Sequence, residues 1–341
     1  MMAVITIQYS SRSLQRAAAA RAQAQGPAVA GDAMRGLLAF LCTPSVAMAS
    51  LLLDADFSCA EIGCNASHGI TNYSYWRHST TDSRQSFLSV GPASGGRAGN
   101  QLNFSVNFCD PPNPNPKHLG CYRSELALQR SIQDTIVDWK TGFGSSERWF
   151  GFSNRLLDFV WESDPPRSLN GPSFQLHGCS GKGPGCTGHS GHPVLNLQVD
   201  STGCAQTNHS CPVWTIGVSA GGKPNPQCSE QYDACWKLGP AALGPAGFDV
   251  WNDWQIQWRG SPRAELGYLA VWRNGELVLP KVSVATAYND TAPPYVKFGV
   301  YHSQWKGENS APSYARHCRI AYGGLKVGDE HSSRAEVSTK Q

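Results

Sequence analysis

The heptapeptide YVKFGVY, residues 295–301, alternates apolar and polar side chains along its whole length. Successive side chains of a strand point to opposite faces, so Val296, Phe298 and Val300 share one face. The other face carries Tyr295, Lys297, Gly299 and Tyr301. The pattern predicts a strand whose apolar face enters a core and whose polar face lines a cleft, with the glycine leaving room for a close approach to the sheet.

Two further segments show the same division. In residues 122–129, Arg123 and Glu125 lie together on the polar face. In residues 173–177, Phe174 and Leu176 are apolar, whereas Gln175 and His177 point the other way. An ordinary half-buried strand with a solvated face explains any one segment alone. Together, however, the three segments bring a set of acid, base and cationic side chains to faces that can share one cleft.

The rest of the chain also reads as short strands separated by turns, with no convincing amphipathic helix. The other candidate strands are residues 86–90, 101–108, 148–152, 194–199, 214–218, 254–258, 267–272, 276–279 and 319–322. Asn274-Gly275 is the strongest hairpin signal, because both positions of a type I′ turn need positive φ. We therefore predict an all-β fold, a β jelly roll sandwich of two antiparallel sheets with a concave substrate cleft.

The first 49 residues read as a leader. Residues 34–49 combine a basic start, an apolar run and an Ala-x-Ala site before Ser50, which predicts a signal peptide. A membrane anchor continuing through residues 51–53 is the alternative, although Pro44 and the short length argue against a stable membrane span. Residues 1–33 resemble a transit peptide or a mis-annotated extension. We expect a jelly-roll domain over residues 50–328, a Cys-rich insertion over 178–245 and a disordered tail over 329–341.

Beyond the leader, cysteines and sequons favour secretion to the extracellular space or cell wall. An odd set of 11 cysteines follows residue 49, typical of disulfide bonds in an oxidising compartment. Their connectivity stays open, and Cys318 is the candidate for the one left unpaired. The predicted glycosylation acceptors are Asn65, Asn72, Asn103, Asn208 and Asn289.

The net charge of the chain is +3, and the leader alone accounts for it with four arginines and one aspartate. The remainder is neutral, so nucleic acid is not supported as a partner. Attraction to an anionic polysaccharide must come from a local cluster of cations. We expect a monomer.

The residues of the three polar faces suit β-elimination of a 4-linked uronate. That reaction needs a cation or amide to hold the carboxylate, a base for the C5 proton and an acid for the departing O4. Arg123 and Gln175 can hold the carboxylate, His177 can be the base, and Tyr301 can be the acid or take both roles. Lys297 would favour a phenolate at Tyr301. No cofactor or metal is required for this chemistry, and a structural calcium ion stays open.

These segments resemble the three active-site strands of jelly-roll polysaccharide lyases, including the family 7 alginate lyases and the heparin lyase I-like group. Residues 251–254 and 267–275 are more similar to the heparin lyase I-like group. The resemblance implies that Arg123 binds carboxylate beside Gln175 and His177, that Tyr301 is catalytic and that Lys297 assists. Glu125, Tyr295 and Trp305 are expected to contact substrate, with Glu125 also orienting Arg123. Residues 302–304 and the Cys-rich segment depart from the family, so alginate, glucuronan and heparin-like chains all remain candidate substrates.

Other functions fit the sequence less well. A lectin-like binding module could share the fold but would not require His177 and Tyr301. A glycoside hydrolase needs two opposed carboxylates, and only Glu125 lies on the predicted face. His189, His192 and His209 could form a zinc site, but disulfides explain the nearby cysteines better. Of Trp251, Trp254, Trp258, Trp272 and Trp305, we expect about two to lie in the cleft and stack on sugars.

Overall fold

A computed structural model describes the part of the chain that forms the β domain. The described residues are 51–55, 57, 64–65, 69–70, 76–80, 86–107, 123–128, 147–161, 170–178, 193–200, 213–220, 235–288, 290, 294–301 and 315–339. All of them fall within the second of the two units into which the chain divides, Ala47–Gln341. They form strands and turns without a helix, which confirms the predicted all-β class.

Within the described part of the chain, seventeen strands build two large sheets and one small hairpin. In chain order they are β1 (Leu51–Ala55), β2 (Cys64–Asn65), β3 (Gly69–Ile70), β4 (Trp76–Thr80), β5 (Ser86–Pro92), β6 (Asn100–Asn107), β7 (Arg123–Leu128), β8 (Glu147–Trp161), β9 (Asn170–His177), β10 (Pro193–Asp200), β11 (Val213–Ala220), β12 (Cys235–Pro245), β13 (Trp251–Arg259), β14 (Tyr268–Arg273), β15 (Glu276–Ser283), β16 (Tyr295–Tyr301) and β17 (Ala315–Gly328). Strands β12-β11-β10-β9-β16-β7-β4 form a seven-stranded sheet. The eight-stranded sheet has the order β15-β14-β13-β8-β17-β6-β5, with β1 paired to β17.

The core lies between the two large sheets, where their apolar faces meet. Phe152 of β8 stacks on Phe174 of β9 with ring centroids 4.4 Å apart. Trp214 of β11 meets Trp254 of β13 edge to face at 5.5 Å. The alternating patterns predicted for β7, β9 and β16 are confirmed, because Leu126, Phe174, Leu176, Val296, Phe298 and Val300 are all buried in this core. Their polar neighbours consequently project from the opposite face of the seven-stranded sheet.

The hairpin predicted at Asn274-Gly275 is confirmed. Both residues have positive φ, 54° and 88°, and they connect β14 to β15. Such values match the two central positions of a type I′ turn, whose twist suits paired strands.

The described residues of the segment predicted as a Cys-rich insertion, residues 178–245, contribute three strands to the sandwich. The segment contains β10, β11 and β12, of which only the first two were predicted, and these three strands form one side of the seven-stranded sheet. β12 escaped prediction because its sequence, CWKLGPAALGP, is rich in glycine and proline. Proline is tolerated there because β12 is the edge strand, where not every backbone N–H is needed for pairing.

The C-terminal residues 329–339 differ from the predicted disordered tail. Val337 is fully buried, and the backbone carbonyl of Val337 sits so close to Gly151 of β8 that a Cβ at this glycine would collide with it. The hydroxyl of Thr339 lies 2.6 Å from that of Ser153. The segment therefore covers the outer face of the eight-stranded sheet. Its polar composition hid this role, since a single buried valine and a glycine facing it provide the contact.

Candidate active site

The three predicted strands are neighbours in the seven-stranded sheet, in the order β9-β16-β7. The pairing register sets Lys297 opposite Gln175, Tyr295 opposite His177 and Tyr301 opposite Arg123. Glu125 lies opposite Gly299 on the same pair of strands. Because residues paired across strands share a face, these side chains occupy one surface, which we call the polar face.

Glu125 is the centre of the polar face. Its side chain is 1% exposed, and one carboxylate oxygen lies 2.7 Å from Lys297 Nζ and 3.1 Å from Arg123 Nε. The other carboxylate oxygen accepts a hydrogen bond from Gln175 Nε2 at 3.4 Å. The sequence predicted Glu125 as a substrate contact that also orients Arg123. In the structure, its carboxylate contacts three protein side chains, one of which is the predicted partner Arg123.

Burial acts on both members of the Glu125–Lys297 pair. Desolvation raises the pKa of Glu125, while the positive charges of Lys297 and Arg123 oppose that shift. Desolvation also lowers the pKa of Lys297, with the charge of Glu125 opposing it. Burial thus works against the charged form of each group, and the charge of the other group opposes that effect.

Lys297 was predicted to act on Tyr301, but its nearest partner is Glu125. Its Nζ is 5.5 Å from the centroid of the Tyr301 ring, twice the distance that separates it from the carboxylate. The guanidinium of Arg123 is closer to Tyr301, at 4.7 Å from the ring centroid. Arg123 also keeps 26% of its side chain exposed, so it is the cation of the polar face that a ligand reaches most readily.

His177, the last residue of β9, lies beside Tyr295, the first residue of β16. Their ring centroids are 5.1 Å apart. His177 Nδ1 is 2.9 Å from the carbonyl oxygen of Gly178. A carbonyl can only accept, so Nδ1 carries the hydrogen in the neutral ring and Nε2 is the nitrogen that can take up a proton.

Gly299 was predicted to leave space for a close approach to the sheet, and the approaching groups belong to the protein. Its φ is +134°, and a Cβ built there would lie 2.3 Å from the Ser124 carbonyl oxygen and 3.0 Å from the ring of Phe104. Glycine is thus needed for packing of β16 against β7 and against the opposite sheet.

Sequence reasoning missed three polar residues that continue the polar face across β10 and β11. Asn196 pairs with Gln175 and with Gly217, and Gln198 pairs with Thr215. The side chains of Asn196, Gln198 and Thr215 are all at least 90% buried. The sequence pattern that could have identified them is the alternation of polar or small residues with large apolar ones in VLNLQV, residues 194–199, and WTIGV, residues 214–218.

Several other predicted residues lie elsewhere or cannot be placed. Trp254 and Trp258 are in the core, and Trp251 and Trp272 lie on strands of the eight-stranded sheet. These four tryptophans therefore do not lie in the cleft, where about two of the five were expected.

Asn103 lies on β6, where its side-chain oxygen accepts a hydrogen bond from Gln101. Trp305, Asn72, Asn208 and Asn289 lie outside the described residues, and Asn65 falls on β2. Cys318 is a buried free thiol, as predicted.

Two properties concern only the described residues. They contain no group of three or more His, Cys, Asp or Glu side chains arranged to hold a metal ion. Nor does this part of the chain contain a helix with the length and apolar character needed to cross a membrane.

Comparison with known proteins identifies the class of enzyme. Residues 70–314, more than two thirds of the chain, match the family model described as polysaccharide lyase. This chain belongs to the polysaccharide lyase family and is an enzyme of that class. The predicted resemblance is thereby confirmed, and the family is catalytic, unlike the lectin-like module considered as an alternative.

One solved structure with a TM-score above 0.5 agrees in fold, and others show weaker similarity. An endo-β-1,4-glucuronan lyase from the fungus Trichoderma reesei aligns with a TM-score of 0.51 and 17% identity, over 79% of this chain and 99% of its own. The family 7 alginate lyase AlyA1 from Zobellia galactanivorans aligns with a TM-score of 0.40 and 12% identity, over 80% of this chain and 99% of its own. An alginate lyase from Klebsiella pneumoniae aligns with a TM-score of 0.38 and 13% identity, over 71% of this chain and 83% of its own. A search of curated proteins found no match.

Proposed function

We propose that this lyase cleaves 4-linked uronate polysaccharides by β-elimination and leaves 4,5-unsaturated uronate ends. The observation that carries the proposal is the cluster of Arg123, Glu125, Gln175 and Lys297 on one face of three adjacent strands, flanked by Tyr301 and His177. The Trichoderma reesei protein is described as acting on β-1,4-glucuronan, so unsubstituted glucuronan is the first polymer to test.

The charge of the cluster suits a single carboxylate. Arg123 and Lys297 supply two positive charges, and the buried Glu125 between them supplies one negative charge. The remaining positive charge, carried by the partly exposed Arg123, can neutralise the carboxylate of one uronate. Neutralisation stabilises the enolate-like intermediate, which makes the C5 proton removable.

The reaction itself needs one proton acceptor and one proton donor. The acceptor takes the C5 proton, the electron pair forms the C4–C5 double bond, the C4–O4 bond breaks, and the donor protonates the departing O4. Tyr301 can perform both transfers, because a phenolate that receives the C5 proton becomes the phenol that protonates O4. A phenolate formed there lies beside the guanidinium of Arg123.

The positions of His177 and Tyr301 favour Tyr301 as both base and acid. His177 pairs with Tyr295, and Tyr295 and Tyr301 are six residues apart on β16, about 20 Å along an extended strand. Tyr301, at the last position of β16, lies opposite Arg123, the proposed carboxylate ligand. His177 lies opposite Tyr295, at the first position of β16. His177 then contributes through Nε2 to binding of the sugar chain.

An absorbance assay tests the proposal. Incubation with glucuronan, alginate blocks, pectate and heparan-type chains should release ends that absorb in the ultraviolet from at least one uronate polymer. Tyr301→Phe removes one hydroxyl and should lower turnover about a hundredfold or more with little change in KM. His177→Ala should keep measurable turnover with a raised KM. Full activity of a folded Tyr301→Phe variant would refute the assignment of Tyr301, and reducing ends formed without ultraviolet absorbance would refute elimination.

We also propose that the mature enzyme begins near Ser50 and acts outside the cell or in the cell wall. Leu51–Ala55 forms β1, and the side chain of Leu53 is buried in the core. This placement supports cleavage before the strand rather than continuation of the apolar run into a membrane anchor. We expect disulfides among the cysteines and glycans at the sequons on that route. The proposed catalytic chemistry requires no cofactor.

A further inference from the structure

Among the described residues of the polar face, two buried atoms of neutral side chains have no hydrogen-bond partner. They are the side-chain oxygen of Asn196 on β10 and the hydroxyl of Thr215 on β11. Asn196 is 5% exposed and Thr215 is 4% exposed. A buried polar group without a partner costs about 1–3 kcal/mol, so such groups in a native fold call for a reason.

The two atoms belong to one neutral cluster. Asn196 Nδ2 donates one of its two amide hydrogens to Gln198 Oε1 at 2.7 Å, and the Asn196 oxygen remains an acceptor. Gln198 in turn lies directly opposite Thr215. None of the three side chains carries a charge, in contrast to the Arg123, Glu125 and Lys297 cluster two strands away.

The cluster lies in line with the proposed cleavage site. Successive register partners run from Lys297 through Gln175 and Asn196 to Gly217 across β16, β9, β10 and β11. Adjacent strands are about 4.8 Å apart, so Asn196 lies about 10 Å from Lys297 across the sheet. A polysaccharide bound at the charged cluster and running across the strands would pass over Asn196, and Thr215 would lie beside its path, two residues along β11 from Gly217.

From this arrangement we infer that Asn196, Gln198 and Thr215 form a neutral subsite that accepts hydroxyl groups of the sugar next to the cleaved linkage. The inference rests on the proposed function and names the substrate class more closely. An acceptor oxygen needs a donor, which a free hydroxyl supplies and a sulfate or acetyl ester does not. The enzyme is therefore selective for uronate chains whose hydroxyls are unsubstituted at this position.

Thr215→Val and Asn196→Ala test the subsite with glucuronan tetrasaccharide as the probe. Each variant should weaken binding of the tetrasaccharide to a Tyr301→Phe background about three- to tenfold by calorimetry, and should raise KM more than it lowers kcat. Thr215→Val should unfold at the same temperature as the parent or higher, since it removes an unsatisfied buried hydroxyl. Ser89→Ala, which removes an exposed hydroxyl from the eight-stranded sheet, is the matched control and should change neither quantity. Chemically O-acetylated glucuronan should be cut more slowly than the unmodified polymer.

The outcomes separate the two proposals. If the parent cuts glucuronan but both variants bind and cut it as the parent does, the neutral subsite is wrong and the lyase proposal stands. If the tetrasaccharide binds and the variants weaken it although no polymer is cut, the subsite stands and elimination is wrong. A parent protein that neither binds nor cuts any uronate chain overturns both. Loss of binding that coincides with a lower unfolding temperature of Thr215→Val assigns the hydroxyl a structural role and also overturns the subsite.

Discussion

Glu125 is a buried residue on which side chains from three strands converge. Two cations on neighbouring strands, Arg123 and Lys297, contact its carboxylate, and Gln175 donates to it from a third strand. A lysine buried at this depth needs a counterion, because desolvation of an unpaired ammonium is costly. We therefore propose that the acid holds in position the groups that bind the substrate.

Glu125→Gln is expected to lower both stability and turnover. The variant keeps the shape of the side chain but leaves Lys297 without its counterion, and breaking a buried pair costs about 3 kcal/mol or more of unfolding free energy. Urea unfolding and the ultraviolet assay measure the two effects. Glu265→Gln, at an exposed position, is the matched control and should behave as the parent does.

At this scale, alternation in the sequence predicted which side chains share the polar face. It could not predict that Lys297 pairs with Glu125 rather than with Tyr301, because the register between β16 and β7 is set by packing across the sheet. For the same reason, the separation of His177 from Tyr301 emerged only from the structure.

At the scale of elements, strands with strong alternation were predictable and edge elements were not. β7, β9 and β16 combine one apolar and one polar face, which is a clear period-2 signal. β12 and β4 are the two edge strands of the seven-stranded sheet, and both were missed. The C-terminal segment was missed because it contributes one apolar side chain to a contact made largely by backbone.

Val337→Ala measures what the C-terminal segment contributes. Val337 is fully buried over Gly151, so truncation should lower the unfolding free energy by about 2 kcal/mol. Turnover should change little, because the segment covers the sheet opposite the polar face. Val250→Ala, at a position 51% exposed, makes the same chemical change in solvent and should leave stability within about 0.5 kcal/mol. Equal unfolding curves for both variants would restore the prediction of a disordered tail.

At the scale of the whole molecule, the two large sheets share the core but differ in what their outer faces carry. The eight-stranded sheet supplies half of the core and is covered on its outer face by residues 329–339. The seven-stranded sheet supplies the other half and presents the polar face, with charged groups on β7 and β16 and neutral groups on β10 and β11. Residues 50–341 carry no net charge, so we propose that this local arrangement of charge, rather than net charge, attracts an anionic polymer.

Digestion of glucuronan in water labelled with heavy oxygen tests the central claim most directly. Elimination adds no water across the broken linkage, whereas hydrolysis places one water oxygen at the new reducing end. The account predicts products that carry no label from the cleavage step, are one water lighter than hydrolysis products by mass spectrometry, and absorb in the ultraviolet. Labelled products of full hydrolytic mass would show that the polar face performs hydrolysis and would contradict the account.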